Sequence, residues 1–391
     1  MLAQFKFEWA LFTRNVKNRI LFIVFVVVAL YFGLMVAPEF QPLYPFADED
    51  IIHERIEEQE YIIGTYEDER PLTVNSARNI INISQQQLEA LNDESWGAYF
   101  EQTRMVNSEI RRARYGNSVD PRFFDINEPF PELEESFWRG YTNTRYGGYA
   151  SEAFDGVTPE IVEERTVLQT IQRLMQDYLP FILLILLVLY SVDSLTKNKG
   201  HRTVFNSTPL YFGKVLWIKT IVVLFGFLLT LAAGFLALLV TIGPRFGVGA
   251  LSIPVPTYSF DLYGGLYETL PMGHWLLQAL ILIVISSLVL IRGILLLSVL
   301  FKQEFLNLLL GISVLFTESL YYSRGVGYFR DIGLLPPTFF SVGSVLIGYH
   351  NFLYNSRDIH FLNGVLSLGA AWLGMEVLLF VVTRFKRFRR M

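Results

Sequence analysis

The chain contains no cysteine. That excludes disulfides, a Cys-ligated metal and a thiol nucleophile, so any domain outside a membrane has to hold by packing alone. Charge is scarce, at 18% of residues. No GxxxxGK[ST] phosphate loop is present: Gly213-Lys214 is followed by Val215 and lacks the upstream glycine. ATP is therefore not expected to bind this chain in that manner, and energy for any work has to come from a partner subunit or an ion gradient. Lysine is missing from the whole stretch 38–173. Internal repeats and low-complexity segments are absent as well.

Apolar residues are abundant. Of 391 residues 52% are hydrophobic, with 33 Phe and 20 Tyr. This suits lipid-facing helices with aromatic belts at the interfaces, and is too apolar for an ordinary soluble enzyme of this length. The net charge of −5 hides a division. Residues 38–173 carry 27 Asp/Glu against 12 Arg, whereas the remainder carries 10 Asp/Glu against 20 Lys/Arg. An acidic block inside a basic membrane chain implies two compartments.

Residues 1–19 read as an amphipathic interfacial helix. Phe5, Trp9, Phe12 and Val16 form its apolar stripe and Lys6, Arg14, Lys17 and Arg19 lie off it. The first span is expected at 20–36 and an acidic, largely helical extracellular domain at 37–173. Within that domain Ser84 and Gln87 match a capping box, with Ile83 and Leu88 as its staple, for a helix running to about Tyr115. Thr158-Pro159 matches the start of another helix, expected to run straight into a second span at about 174–192. A cytoplasmic loop at 193–219 follows, then spans within 215–242, from about Trp275, and at about 305–322. Short re-entrant helices are expected in 323–360, where Gly325, Gly327, Pro336 and Pro337 interrupt an apolar run. The sixth span is about 361–383 and the tail 384–391 is basic. The fold class is thus an all-α polytopic membrane protein with six transmembrane helices, its five later spans lying in 174–383.

Basic residues orient it. Segments 1–19, 193–219, the turn at 302–304 and the tail hold 4, 5, 1 and 5 Lys/Arg, whereas the short segments 243–274 and 323–360 hold 1 and 3. Positive residues stay in the cytoplasm, so both termini are expected there, in the cell membrane, beside anionic lipid headgroups rather than nucleic acid.

Three charges stand inside apolar runs: Arg292, Glu318 and Glu376. Each is either functional or a snorkelling or paired structural charge. Counting from the cytoplasmic ends, Glu376 and Arg292 lie roughly 11 and 14 Å deep, and Glu318 roughly 20 Å. Arg292 and Glu376 are expected to pair. Glu318, with no basic residue at its level, is expected to face a polar cavity or a dimer seam. His53-Glu54-Arg55-Ile56-Glu57 lacks the second histidine of a zinc helix and reads as a solvated face. Arg111, Arg112 and Arg114 read as surface ion-pair positions.

The basic loop carries the most information. Gly200 is followed by Ser207-Thr208-Pro209, and Lys219 stands ten residues after the proline, at the start of a long span. This spacing resembles the segment between the second and third spans of type-2 ABC-transporter permeases, the exporter-type membrane subunits. The family usually has Glu just before the glycine, where Lys199 stands here; the nearest carboxylate is Asp193. One span, a large external domain, then five spans with re-entrant pieces before the last is also an arrangement of that family. The resemblance implies that Gly200, Thr203, Phe205, Ser207, Thr208 and Pro209 dock on a separate ABC ATP-binding subunit. By the same resemblance that subunit would hold ATP and Mg, and this chain is expected to bind no cofactor and not to be an enzyme itself. It implies a second permease copy or a related permease as partner. An amphipathic peptide, antibiotic or lipid-like molecule would be the exported substrate. Two rivals belong to other classes. A membrane sensor or immunity protein would bind an extracellular peptide without transport. An intramembrane enzyme is disfavoured, because no nucleophile–base pair or metal motif lies in the spans.

Overall fold

The computed structural model describes residues 2–43, 45–66, 70–115, 131–151, 156–195, 211–261, 264–301, 303–322 and 333–384. The described chain is mostly helical. Helix α1 (Leu2–Arg14) ends at Asn15, whose side chain accepts a hydrogen bond from the Lys17 amide and caps α2 (Val16–Tyr31). Asparagine competes for the backbone in this way and so favours a cap over a helix interior. The expected single helix through residue 19 is therefore two, and Lys17 and Arg19 belong to the first turn of the span. One turn of π-helix and one of 3₁₀-helix around Pro38 extend α2, giving an apolar run Val16–Glu39. The aromatic stripe of α1 does not simply face lipid: Trp9 and Phe12 lie 5.1 and 5.3 Å from the rings of Phe225 and Tyr190.

Four helices follow: α3 (Glu49–Tyr66), α4 (Pro71–Asn92), α5 (Trp96–Tyr115) and α6 (Pro131–Ala150). Ser84 is not a cap. It sits buried in the middle of α4, and the chain turns instead at Asp93–Ser95, where Glu94 takes a positive φ of 52°. Pro71 in the first turn already starts the helix, which removes the need for a cap at 84.

Thr158 does cap a helix, accepting from the Ile161 amide, but α7 (Pro159–Val162) is one turn long. Glu164, at φ 57°, breaks it, and α8 (Val167–Gln176) starts anew. A second break at Asp177-Tyr178 precedes α9 (Leu179–Ser191), and the pair Pro159–Gln176 and Leu179–Ser191 is bent by 74°. Pro180 explains the restart, because its ring excludes the helical hydrogen bond to the preceding turn. The expected unbroken run into the second span is thereby corrected.

Helix α10 (Phe212–Phe246) ends at Gly247, φ 76°. The Gly247 and Val248 carbonyls accept from the first amides of α8. At 35 residues α10 spans about 52 Å, longer than a ~30 Å hydrocarbon core. Strands β1 (Pro254–Asp261) and β2 (Gly264–Pro271) then pair antiparallel, in register from Pro254 with Pro271 to Asp261 with Gly264. The all-α expectation had no strand in the short segment 243–274, so the fold is not wholly α. Proline is tolerated here because both strands of a two-stranded ribbon are edges. Helix α11 (Met272–Phe301) follows. The fifth expected span is broken at Phe316 into α12 (Glu304–Leu315) and α13 (Thr317–Tyr322). A 3₁₀ turn at Pro336–Phe340 and the short α14 (Val342–Leu346) and α15 (Tyr349–Leu353) occupy the expected re-entrant region. Helix α16 (Phe361–Arg384) ends the described chain. Among the described residues four helices are long and apolar enough to cross a membrane, Val16–Glu39, α10, α11 and α16, or five if the bent pair counts as one span.

The chain divides into two compact units. The membrane unit comprises 1–40, 166–248 and 276–391; the second comprises 41–165 and 249–275. In the membrane unit α1 and α2 pack along α10. Gly226 and Gly234 of α10 admit the rings of Phe12 and Phe25, and a Cβ at either would come within 2.6 Å of them. In the second unit α3 to α6 pack in sequence order and α6 lies on the hairpin, where Tyr267 donates to the Phe137 carbonyl at 3.1 Å. Its core is aromatic: Tyr99, Phe100, Phe137, Tyr146 and Tyr149 are all buried.

Candidate functional site

Ionisable side chains of the membrane unit gather around α10. Lys219, in its second turn, donates to Glu8 Oε2 at 2.7 Å; the two side chains are only 4% and 5% exposed. Asp193, just past α9, accepts from Asn15 Nδ2 at 3.0 Å and lies 2.8 Å from Lys17 Nζ. Lys17 also donates to the Leu189 carbonyl. Glu8, Asn15, Asn18, Asp193 and Lys219 share the wall of a cavity of about 320 Å³. Asp193 precedes and Lys219 follows the segment 196–210, so both stems of the basic loop are tied to the two N-terminal helices.

The structure brings Arg292 and Glu376 together. Nε and Nη2 of Arg292 face the carboxylate, and Nη1 donates to Thr220 Oγ1 at 3.2 Å. The guanidinium lies over the Trp217 ring at 4.5 Å, a cation–π contact that further compensates its burial. Lys219 and Thr220 are consecutive, about 100° apart around the helix axis. One therefore links α10 to α1 and the other links it to the α11–α16 ion pair.

Glu318 departs from expectation. Its carboxylate is buried, accepts from the Tyr354 hydroxyl at 3.3 Å and lies 3.8 Å from His350 Nε2. It faces protein groups of the short-helix region rather than a polar cavity. The sequence reading found no base at its level because a histidine on a separate short helix has no fixed depth in a count along one span.

Gly200, Thr203, Phe205, Ser207, Thr208 and Pro209 lie outside the described residues. Sequence reasoning missed Glu8, Asn15 and Asp193 as members of a network. One signal was present: Glu8 is the only acidic residue before the first span.

The second unit has its own buried charges. Arg145 and Glu164 form an ion pair with side chains 5% and 16% exposed. Burial is the largest single influence and works against the Arg145 charge, but the charge and hydrogen bond of Glu164 together with Tyr149 and Tyr146 outweigh it and raise the arginine pKa. Burial likewise raises Tyr146 and Tyr149, and pushes Tyr99 up to about 12. Arg111 pairs with Glu135 and Arg112 with Glu109, while the Arg114 side chain lies outside the described residues. His53 lies beside Glu49 on α3, and Arg55 donates to Gln87 at 2.9 Å. Burial lowers the Arg55 pKa.

Comparisons with protein-family models, curated proteins and solved structures found no match to this chain.

Proposed function

We propose that the chain is the membrane-spanning subunit of an exporter-type ABC transporter. It has six spans: Val16–Glu39, the bent pair ending in α9, α10, α11, the broken pair α12–α13, and α16. Both termini and the 196–210 segment face the cytoplasm of the cell membrane, and the acidic unit faces outward. Two copies, or one copy and a related permease, act with two ATP-binding subunits, which hold ATP and Mg and do the hydrolysis. The substrate is an amphipathic peptide, antibiotic or lipid-like molecule.

One observation carries the reading beyond the resemblance of the loop. Both stems of the basic segment are held by polar contacts: Asp193 by a hydrogen bond from Asn15 and an ion pair with the partly exposed Lys17, and Lys219 by a buried ion pair with Glu8. A push on the segment would therefore not dissipate in a free loop. It would reach α1, and through Thr220 it would reach the Arg292–Glu376 pair. Closing of the nucleotide-binding subunits supplies the push, and the spans rearrange in response.

The test is purification of the tagged chain from its host in mild detergent. An ATP-binding subunit should co-purify, and the reconstituted complex should hydrolyse ATP. Replacing Pro209 by Asp should preserve insertion and assembly yet uncouple hydrolysis from export. If no ATP-binding subunit accompanies the chain, the transport reading fails and a peptide sensor takes its place.

A further inference from the structure

A second cavity lies on the opposite half of the membrane unit from the ion pairs. Its volume is about 460 Å³, within the ~300–1,000 Å³ of small-molecule sites. Val28 and Phe32 of the first span, Ile182 of α9, Phe235 of α10, and Ala279 and Leu280 of α11 contribute to its wall. Each group comes from the half of its helix that faces outward in the orientation proposed above. The cavity therefore lies in the outer leaflet, within a single copy of the chain. Its wall is apolar except at one edge. There the 74° bend between α8 and α9 places Asp177, with Tyr178 beside it, at the rim.

The Asp177 carboxylate has no ion-pair partner among the described residues. Arg173, one turn earlier, has its guanidinium over the Phe40 ring at 3.3 Å. A carboxylate at the mouth of an apolar cavity at membrane depth needs water or a cation. The chemistry of a matching ligand follows. Its body is apolar, its head is cationic, and head and body are contiguous, because Asp177 adjoins the apolar wall. A volume of about 460 Å³ lies in the lower half of the small-molecule range, which suits one alkyl chain rather than the two of a phospholipid.

We propose that this cavity binds a single-chain cationic amphiphile from the outer leaflet, with its ammonium on Asp177 and its chain between α2, α9, α10 and α11. The site rests on the orientation given above and narrows the substrate class of the proposed exporter to cationic amphiphiles.

The probe is dodecylammonium carrying a diazirine on its chain, applied to the full chain in phosphatidylcholine nanodiscs without any ATP-binding subunit. The expected result is saturable photolabelling at wall residues such as Ile182 and Leu280, competed by unlabelled dodecyltrimethylammonium. Asp177→Asn should weaken it about tenfold, the loss of one charge-assisted contact, whereas Asp177→Glu should retain it. Ala29→Phe, which adds a ring to the cavity wall at a half-buried position, should reduce labelling while leaving the ammonium partner in place. Equal labelling by the corresponding dodecyl sulfate and dodecanol probes would mean a groove filled by any lipid chain and would overturn the proposal. So would labelling unchanged in Asp177→Asn. Because binding is read without ATP, its success alongside absent transport sinks only the exporter reading. Export of dodecylammonium unaffected by Asp177→Asn sinks only this site.

Discussion

Lys219 of α10 and Glu8 of α1 meet at 2.7 Å across 211 positions of sequence, both almost wholly out of solvent. Burying two charges is costly, and their mutual attraction compensates only while both are present. Lys219→Met or Glu8→Leu alone should each destabilise the purified protein by about 3–5 kcal/mol, whereas the double variant should recover most of the loss. Thermal unfolding in one detergent, compared across the four proteins, checks this. A double variant as unstable as the worse single would show that the pair is not a coupled unit.

Arg292 and Glu376 provide a second pair with a different outcome. Arg292→Glu would place a carboxylate beside Glu376 and facing the Trp217 ring, and Glu376→Arg would set two guanidinium groups together. Each should impair folding or function. The double swap should recover much of the ion pair but not the cation–π contact, because the arginine would then stand on α16. Partial rescue is thus expected, and Trp217→Leu should cost more in the parent than in the double swap.

Tyr99, Tyr146 and Tyr149 give the acidic unit an alkaline limit. Their folded pKa values stand above the ordinary tyrosine value near 10, that of Tyr99 at about 12. A raised folded pKa gives stability that is fully present below pH ~10 and is lost as pH climbs through the folded value. Absorbance at 295 nm should therefore show a late group of tyrosines ionising together with loss of helical circular dichroism. Tyr99→Phe, which deletes a 2.8 Å hydrogen bond to the Ala47 carbonyl, should cost about 1 kcal/mol at neutral pH. Ionisation of all tyrosines near pH 10 with the helices intact would contradict the buried aromatic core.

Because the chain has no cysteine, single cysteines report topology directly. A cysteine at Leu72, which is 84% exposed on the acidic unit, should react with a membrane-impermeant thiol reagent on intact cells. One at Asn206 should react only after lysis. Labelling of position 206 from outside would reverse the proposed orientation.

The division into an apolar, basic unit and an acidic one was readable from composition, since hydropathy and charge are properties of each residue and need no partner. The Arg292–Glu376 pairing was readable too. Helical rise converts position along a span into depth, and two opposite charges at one depth in a bundle have few alternatives. The same arithmetic failed for Glu318, whose partners His350 and Tyr354 come from short helices that do not measure depth. It also failed for the bend at Asp177-Tyr178. The apolar run reads through that point, and only Pro180 marked it. The hairpin 254–271 was hidden by prolines that normally argue against strands, although its period-two aromatics and Gly264-Gly265 were visible. Local propensity thus fixed the location of apolar helix but not its breaks at Asn15, Glu164, Asp177 and Phe316. Only the tertiary structure decided which distant charges meet: Glu8 with Lys219, Asn15 and Lys17 with Asp193, Arg145 with Glu164. A buried ion pair is a choice among many possible partners, and that choice is made by how the helices pack, which no periodicity within one segment encodes.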